Sequence, residues 1–194
     1  MNTVRTVSKQ AAVQIRKWGG QTVAPRYTNY GEIRRTRRLR PCLFAVRSMN
    51  LVIDRTMLDE LIAFAQHDFP EECCGIFVGR RDGADIIVSD AVQSPNIAQG
   101  NRRRDYQIDW KTLLRTQRQA RADQLEIVGF FHSHPDGSTT PSQADLHQAW
   151  PDCSYLILTV STGRCIGFAS WRLDTGRSAF ESESIVVSKR MATK

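Results

Sequence analysis

Histidine is scarce in this 194-residue chain: there are four, and none lies in a His-Glu-x-x-His pair. That absence excludes the zinc peptidases that bind their metal through two histidines one helical turn apart. The five cysteines include no Cys-x-x-Cys, and no His-x-Glu occurs. Zinc ribbons and zinc deaminases are therefore excluded as well. Cys73 and Cys74 are adjacent, a poor spacing for a metal, and read as apolar packing at the start of a strand. The odd cysteine count, with no framework spacing and no signal-peptide pattern, implies a reducing, cytoplasmic setting. Long apolar runs are missing too. The longest candidate, residues 42–53, is broken by Arg47 and falls short of the roughly 20 residues a membrane helix needs. A soluble protein without a membrane partner is expected.

Acidic residues are nearly absent from positions 1–48, which hold nine Arg, two Lys and a single acid, Glu32, for a charge of +10. The whole chain carries +7, so residues 49–194 carry −3. The division implied is a basic arm, 1–48, and a mildly acidic globular domain, 49–194. The arm has several readings: a disordered extension, a mis-called start with translation beginning at Met49, an Arg-rich transit peptide, or a tail that contacts nucleic acid. No aromatic-basic motif accompanies the charge, so nucleic-acid binding has the least support.

Beyond the arm the pattern predicts an α/β domain, a mixed β-sheet flanked by helices. Asp54 can cap a helix whose apolar face is Met57, Leu58, Leu61, Ile62 and Ala65. Segments 75–79 and 85–92 read as strands joined by a turn at Arg81-Asp82-Gly83. A polar loop over 94–105 is long enough to imply a role of its own. A second helix is expected over 109–122, and a short one from Ser142 to about Trp150. Segments 126–131, 155–161, 165–172 and 180–187 read as strands, the last two joined at Asp174-Thr175-Gly176. The expected order is helix, two strands, helix, strand, short helix, three strands.

Two of the four histidines, His132 and His134, close the apolar run Glu126-Ile127-Val128-Gly129-Phe130-Phe131. Side chains at i and i+2 of an extended chain share a face, so both imidazoles can aim at one point. Asp145 can add a third, harder ligand after the intervening turn. Two imidazoles and a carboxylate, with a fourth position open for water, suit a catalytic zinc, which implies a metal-dependent hydrolase. A blander reading stands beside it: Ser142-Gln143-Ala144-Asp145 also has the form of a helix capping box. His67 and His147 fall on expected helices and read as surface or packing residues. Arg102-Arg103-Arg104 reads as a solvated loop that could receive an acidic partner.

His-x-His, ten intervening residues and then Asp, with a serine three positions before the Asp, resembles the JAMM motif of MPN-domain metalloproteases. His132-Ser133-His134-Pro135 and 142–145 fit it without a gap. Upstream, Pro70-Glu71-Glu72-Cys73-Cys74-Gly75 looks like the Glu-x-Cys-Gly segment of the small bacterial members. Ser94-Pro95-Asn96 and Tyr106-Gln107-Ile108-Asp109 also resemble that branch. The resemblance covers about 51–187 and leaves the arm outside. It implies a single MPN-like, cytidine-deaminase-like domain holding one zinc ion through His132, His134 and Asp145. It further implies Glu72 as general base and Ser142 as donor to a developing oxyanion. Spacing alone does not separate Glu72 from Glu71.

The activity implied is that of a zinc peptidase or isopeptidase. It would cut the amide bond after the C-terminal diglycine of a ubiquitin-like protein, in this branch a sulfur carrier. Two rivals remain: a catalytically silent MPN-type scaffold, which would normally lack a ligand, and a nucleic-acid binder working through the basic arm.

Overall fold

The computed structural model describes residues 49–173, 176 and 178–189. The basic arm lies outside them, as do Asp174 and Thr175 of the expected last turn. Strand β1 (Asn50–Asp54) runs directly into helix α1 (Arg55–Asp68), where the Asp54 carboxylate accepts from Thr56 N at 2.8 Å. Strands β2 (Cys74–Asp82) and β3 (Asp85–Ser94) form a hairpin. Its turn is Gly83-Ala84 rather than Arg81-Asp82-Gly83, because Arg81 and Asp82 still pair with β3 and Gly83 takes the positive φ of +62°. Helix α2 (Trp110–Ala122) starts at Asp109, whose carboxylate accepts from Thr112 N. Then come β4 (Glu126–Pro135), the short α3 (Gln143–Gln148), β5 (Ser154–Ser161), β6 (Arg164–Leu173) and β7 (Phe180–Ser188).

The sheet is mixed, as expected, and it closes. The order is β1-β3-β2-β4-β5-β6-β7, with β7 returning to pair with β1. β1 runs parallel to β3 and β7, and β4 runs parallel to β5, while the other pairs are antiparallel. Neither β1 nor the closure was in the expected element order. Five residues leading into a helix carry little periodicity, and their pairing partners lie about 35 and 134 positions away.

Both faces of the central strands are covered. On one face α1 packs Leu58, Leu61 and Ala65 against Phe77, Phe131, Leu156 and Leu158. On the other, Ile76, Phe130 and Tyr155 form a second cluster with Ala149, and Leu113 of α2 packs against it. This explains why β2, β4 and β5 read as continuous apolar runs and not as alternating ones. It also fixes the site: His132 and His134 follow Phe130 at steps of two, so they lie on the face carrying α2.

Gly75 sits where β2 meets β3 and β4. A Cβ there would lie 2.2 Å from the Phe131 ring and 2.5 Å from Val92 O. Gly75→Ala is therefore expected to displace Phe131, the residue before His132, and to cost about 1–3 kcal/mol of stability. Chemical denaturation checks this; an unchanged midpoint would refute the tight approach. Among the described residues, no helix is long and apolar enough to cross a membrane.

Candidate metal centre

Strand β4 delivers His132 and His134, and the first turn of α3 delivers Asp145. The structure brings them together. The two Nε2 atoms are 3.0 Å apart, His132 Nε2 is 3.3 Å from Asp145 Oδ1, and His134 Nε2 is 3.7 Å from Oδ2. One ligand atom from each residue falls within a span of 4.8 Å. His134 Nδ1 is 2.7 Å from the Ser138 carbonyl oxygen, which can only accept, so Nδ1 carries the proton. In the neutral ring Nε2 then presents its lone pair to the centre. His132 is fully buried and its Nδ1 has no hydrogen-bond partner among the described residues. Two imidazole nitrogens and one carboxylate oxygen, crowded and facing one another, fit a divalent cation such as zinc.

Asp145 serves the helix and the centre at once. Its Oδ2 accepts from Ser142 N and Ser142 Oγ, both at 2.6 Å, while Ser142 Oγ accepts from Asp145 N at 3.1 Å. This is a complete capping box, so the two sequence readings of 142–145 are compatible. Burial raises the Asp145 pKa, but hydrogen bonds from His132, His134 and Ser142 outweigh it and hold the carboxyl well below its ordinary value. Burial lowers the His132 pKa despite Asp145. At His134 burial also pulls down, yet Asp145, the Ser138 carbonyl and Glu72 bring the net shift upward.

Glu72 lies just before β2 and its backbone is held from two sides. Its N–H donates to Arg102 O at 2.7 Å, and Asn96 Nδ2 donates to its carbonyl at 3.0 Å. The next residue, Cys73, donates its N–H to Ser133 Oγ at 2.9 Å and accepts from Ser133 N at 3.0 Å. Ser133, the residue between the two histidines, thus fastens the Glu72 segment to β4. The Glu72 side chain is buried, and burial pushes its pKa up to about 7 against the opposing pull of His134, with Asp145 and Asp105 adding to the rise. Glu71 by contrast is exposed and lies 3.8 Å from Arg102. The structure separates two residues that spacing could not.

A cleft of about 610 Å³ opens at the centre, lined by Glu72, His134, Ser142 and Asp145 and by Arg103 to Tyr106. Tyr106 stacks on His132 with ring centroids 4.4 Å apart and planes 22° apart. Tyr106, Asn96 and Ser133 were not singled out for these contacts. In the sequence Tyr106 figures only within a segment that resembles the family, without a role. Arg103 and Arg104, read as solvated, are exposed and line the cleft, with Arg103 3.7 Å from Asp136. His67 and His147 are exposed and stand outside the centre. Cys73 and Cys74 are buried, and burial pushes both thiols up to about 12, which keeps them protonated.

Fold and site together define a mixed α/β barrel domain whose α2 face carries three donors placed to hold a cation, in an open cleft. The chain belongs to the prokaryotic homologs of the JAB domain, whose family profile matches residues 54–174. The JAMM/MPN resemblance is thereby borne out. The chain is 27% identical over 143 residues to the CysO-cysteine peptidase of Mycobacterium tuberculosis, covering 70% of this chain and 91% of that one. It is 31% identical over 98 residues to the desampylase of Haloferax volcanii, covering 48% and 66%. It is 28% identical over 117 residues to a probable TtuB-protein conjugate cleaving protease of Thermus thermophilus, covering 60% and 74%. A solution structure of a Desulfitobacterium hafniense protein matches with a TM-score of 0.63 at 26% identity, over 74% of this chain and 96% of that one.

Proposed function

We propose that this protein is a zinc-dependent peptidase that hydrolyses the amide bond after the C-terminal diglycine of a ubiquitin-like sulfur carrier. The observation that carries the reading is the convergence of His132, His134 and Asp145 within 4.8 Å beside a buried Glu72. The relatives support it, since their names describe a peptidase, a desampylase and a protease that cleaves a protein conjugate. The catalytic unit in this reading is 49–194, the arm 1–48 takes no part, and the setting is cytoplasmic.

His132, His134 and Asp145 would hold the ion through two imidazole nitrogens and a carboxylate oxygen. Zinc bound in such a donor set supplies Lewis acidity toward water and toward a carbonyl oxygen. Glu72, with a pKa near 7, exchanges protons readily at neutral pH. It takes a proton from the attacking water and returns it to the leaving amine. The Ser142 hydroxyl donates to Asp145 in the resting arrangement, and rotation about its Cα–Cβ bond turns that donor toward the oxygen of the attacked carbonyl. Tyr106 shields one face of the His132 ring from water. A diglycine tail suits the cleft because it has no side chains and can bring its carbonyl close to the centre.

Intact-mass analysis tests this. A ubiquitin-like carrier extended by a few residues beyond its diglycine is incubated with the zinc-loaded protein. Cleavage after the second glycine is expected, stopping with chelator and returning when zinc is added. Cleavage elsewhere, or cleavage indifferent to chelator, would overturn the proposal.

A further inference from the structure

Helix α2 is the basic element of an otherwise acidic domain. Residues 102–121 hold seven Arg and Lys against Asp105 and Asp109, a local +5 where residues 49–194 as a whole carry −3. The helix itself contains Lys111, Arg115, Arg118 and Arg121 and no acid. Among the described residues, these four form no ion pair, whereas Arg102 and Arg103 reach Glu71 and Asp136. Lys111, Arg115 and Arg118 recur at helical spacing along one exposed side, where unscreened like charges repel one another. The opposite side, with Thr112, Thr116 and Ala120, is buried against the sheet.

Apolar surface sits within this charge. Trp110 is 61% exposed and Leu114 40% exposed, one turn apart. With Lys111, Arg115, Arg118 and Gln119 they line a shallow groove of about 340 Å³. An exposed Trp among arginines is the composition of a protein-binding hot spot. Duplex nucleic acid would be held by its backbone charge, which calls for neither Trp110 nor Leu114. The chain leads from the metal cleft to this surface within a few residues: Arg103 and Arg104 line the cleft, Tyr106 stacks on His132, and Trp110 opens α2 four residues later.

The geometry points to the exposed side of α2 as the docking surface for an acidic protein with an apolar centre, whose tail then reaches the metal cleft. The partner's identity as the carrier rests on the peptidase reading; the docking itself does not. One ubiquitin-like carrier fold ending in Gly-Gly-Ala is made in two versions, one acidic and one with its surface carboxylates changed to amides. Binding to the metal-free full chain is measured by calorimetry at low and high salt. Cleavage by the zinc-loaded chain is measured on both carriers and on a short acetylated peptide with the same Gly-Gly-Ala end.

The acidic carrier is expected to bind at least tenfold more tightly than the neutralised one and to weaken with salt. The R115E/R118E double variant, checked for an unchanged thermal midpoint, should lose that preference and raise KM for the acidic carrier about tenfold or more. Its kcat and its cleavage of the peptide should stay as in the parent. Trp110→Ala should weaken binding without abolishing the salt dependence. Equal binding of both carriers, or binding unaffected by R115E/R118E, would overturn the proposal. So would displacement of the carrier by duplex DNA or RNA that itself needs Arg115 and Arg118. Acidic-carrier binding without cleavage of any substrate would leave the docking surface standing and remove the peptidase reading instead.

Discussion

Glu72→Gln is expected to lower turnover by roughly 100- to 10,000-fold, the range general acid–base catalysis supplies, and to make the metal-free protein more stable above pH 7. The two effects share one cause. Burial raises the folded-state pKa from 4.5 to about 7, so the ionised carboxylate is held where water cannot solvate it. Below pH 4.5 the carboxyl is protonated in both states and contributes no pH dependence. Between 4.5 and about 7 the folded protein retains a proton that the unfolded chain has released. Stability therefore falls as pH rises through that window, and the loss is complete above 7. The two pKa values correspond to at most about 3 kcal/mol. Glutamine keeps the shape and has no proton to lose, so its advantage should grow across the same window and level off above pH 7. Denaturation of chelated protein at pH 5 and pH 8 reads this. An equal effect at both pH values would mean that Glu72 is not buried as an acid. A variant that stays active would remove it as the base.

Glu72 also marks where the sequence stops being sufficient. Asp54 announced α1, because a cap is a local event between a side chain and an N–H group two residues on. His132 and His134 were legible for the same reason: an extended strand places i and i+2 on one face whatever else the chain does. The choice of Glu72 over Glu71 was not local. It depends on the Cys73–Ser133 hydrogen bonds across 60 positions and on a loop that returns Arg102 O and Asn96 to the same backbone. Barrel closure was hidden in the same way, since β1 gains its identity from Ile86 and Val186 rather than from its own five residues. Tyr106 stands over His132 because the Asn96–Ile108 bridge and the Asn96 side chain fold the connection back on itself. No pattern within 94–109 encodes that return.

Asp145→Asn should sharply reduce zinc-induced stabilisation while leaving the metal-free fold nearly intact. The capping box offers two roles for one carboxylate, and this substitution parts them. An amide oxygen can still accept from Ser142 N, and the N–H of residue 145 still donates to Ser142 Oγ, so α3 keeps its first turn; Asp145→Ala keeps the serine cap but leaves Ser142 N without its side-chain acceptor. The negative charge facing His132 and His134 is lost in either variant. Perturbing the groups that merely support a ligand costs about 10- to 100-fold in metal affinity, so removing a ligand's charge should cost at least as much. At a zinc concentration 1,000 times the parent's Kd, the parent gains about 4 kcal/mol and the variant far less. The pH dependence separates the roles further. The Asp145 carboxyl is held below its ordinary value in the fold, so its contribution is present above the unfolded pKa of 3.8 and fades as pH falls. In Asp145→Asn that acid-side loss should disappear from the metal-free protein. A variant that still gains several kcal/mol from zinc would show that the ion sits elsewhere. A metal-free variant that unfolds would show that Asp145 serves the helix before it serves the metal.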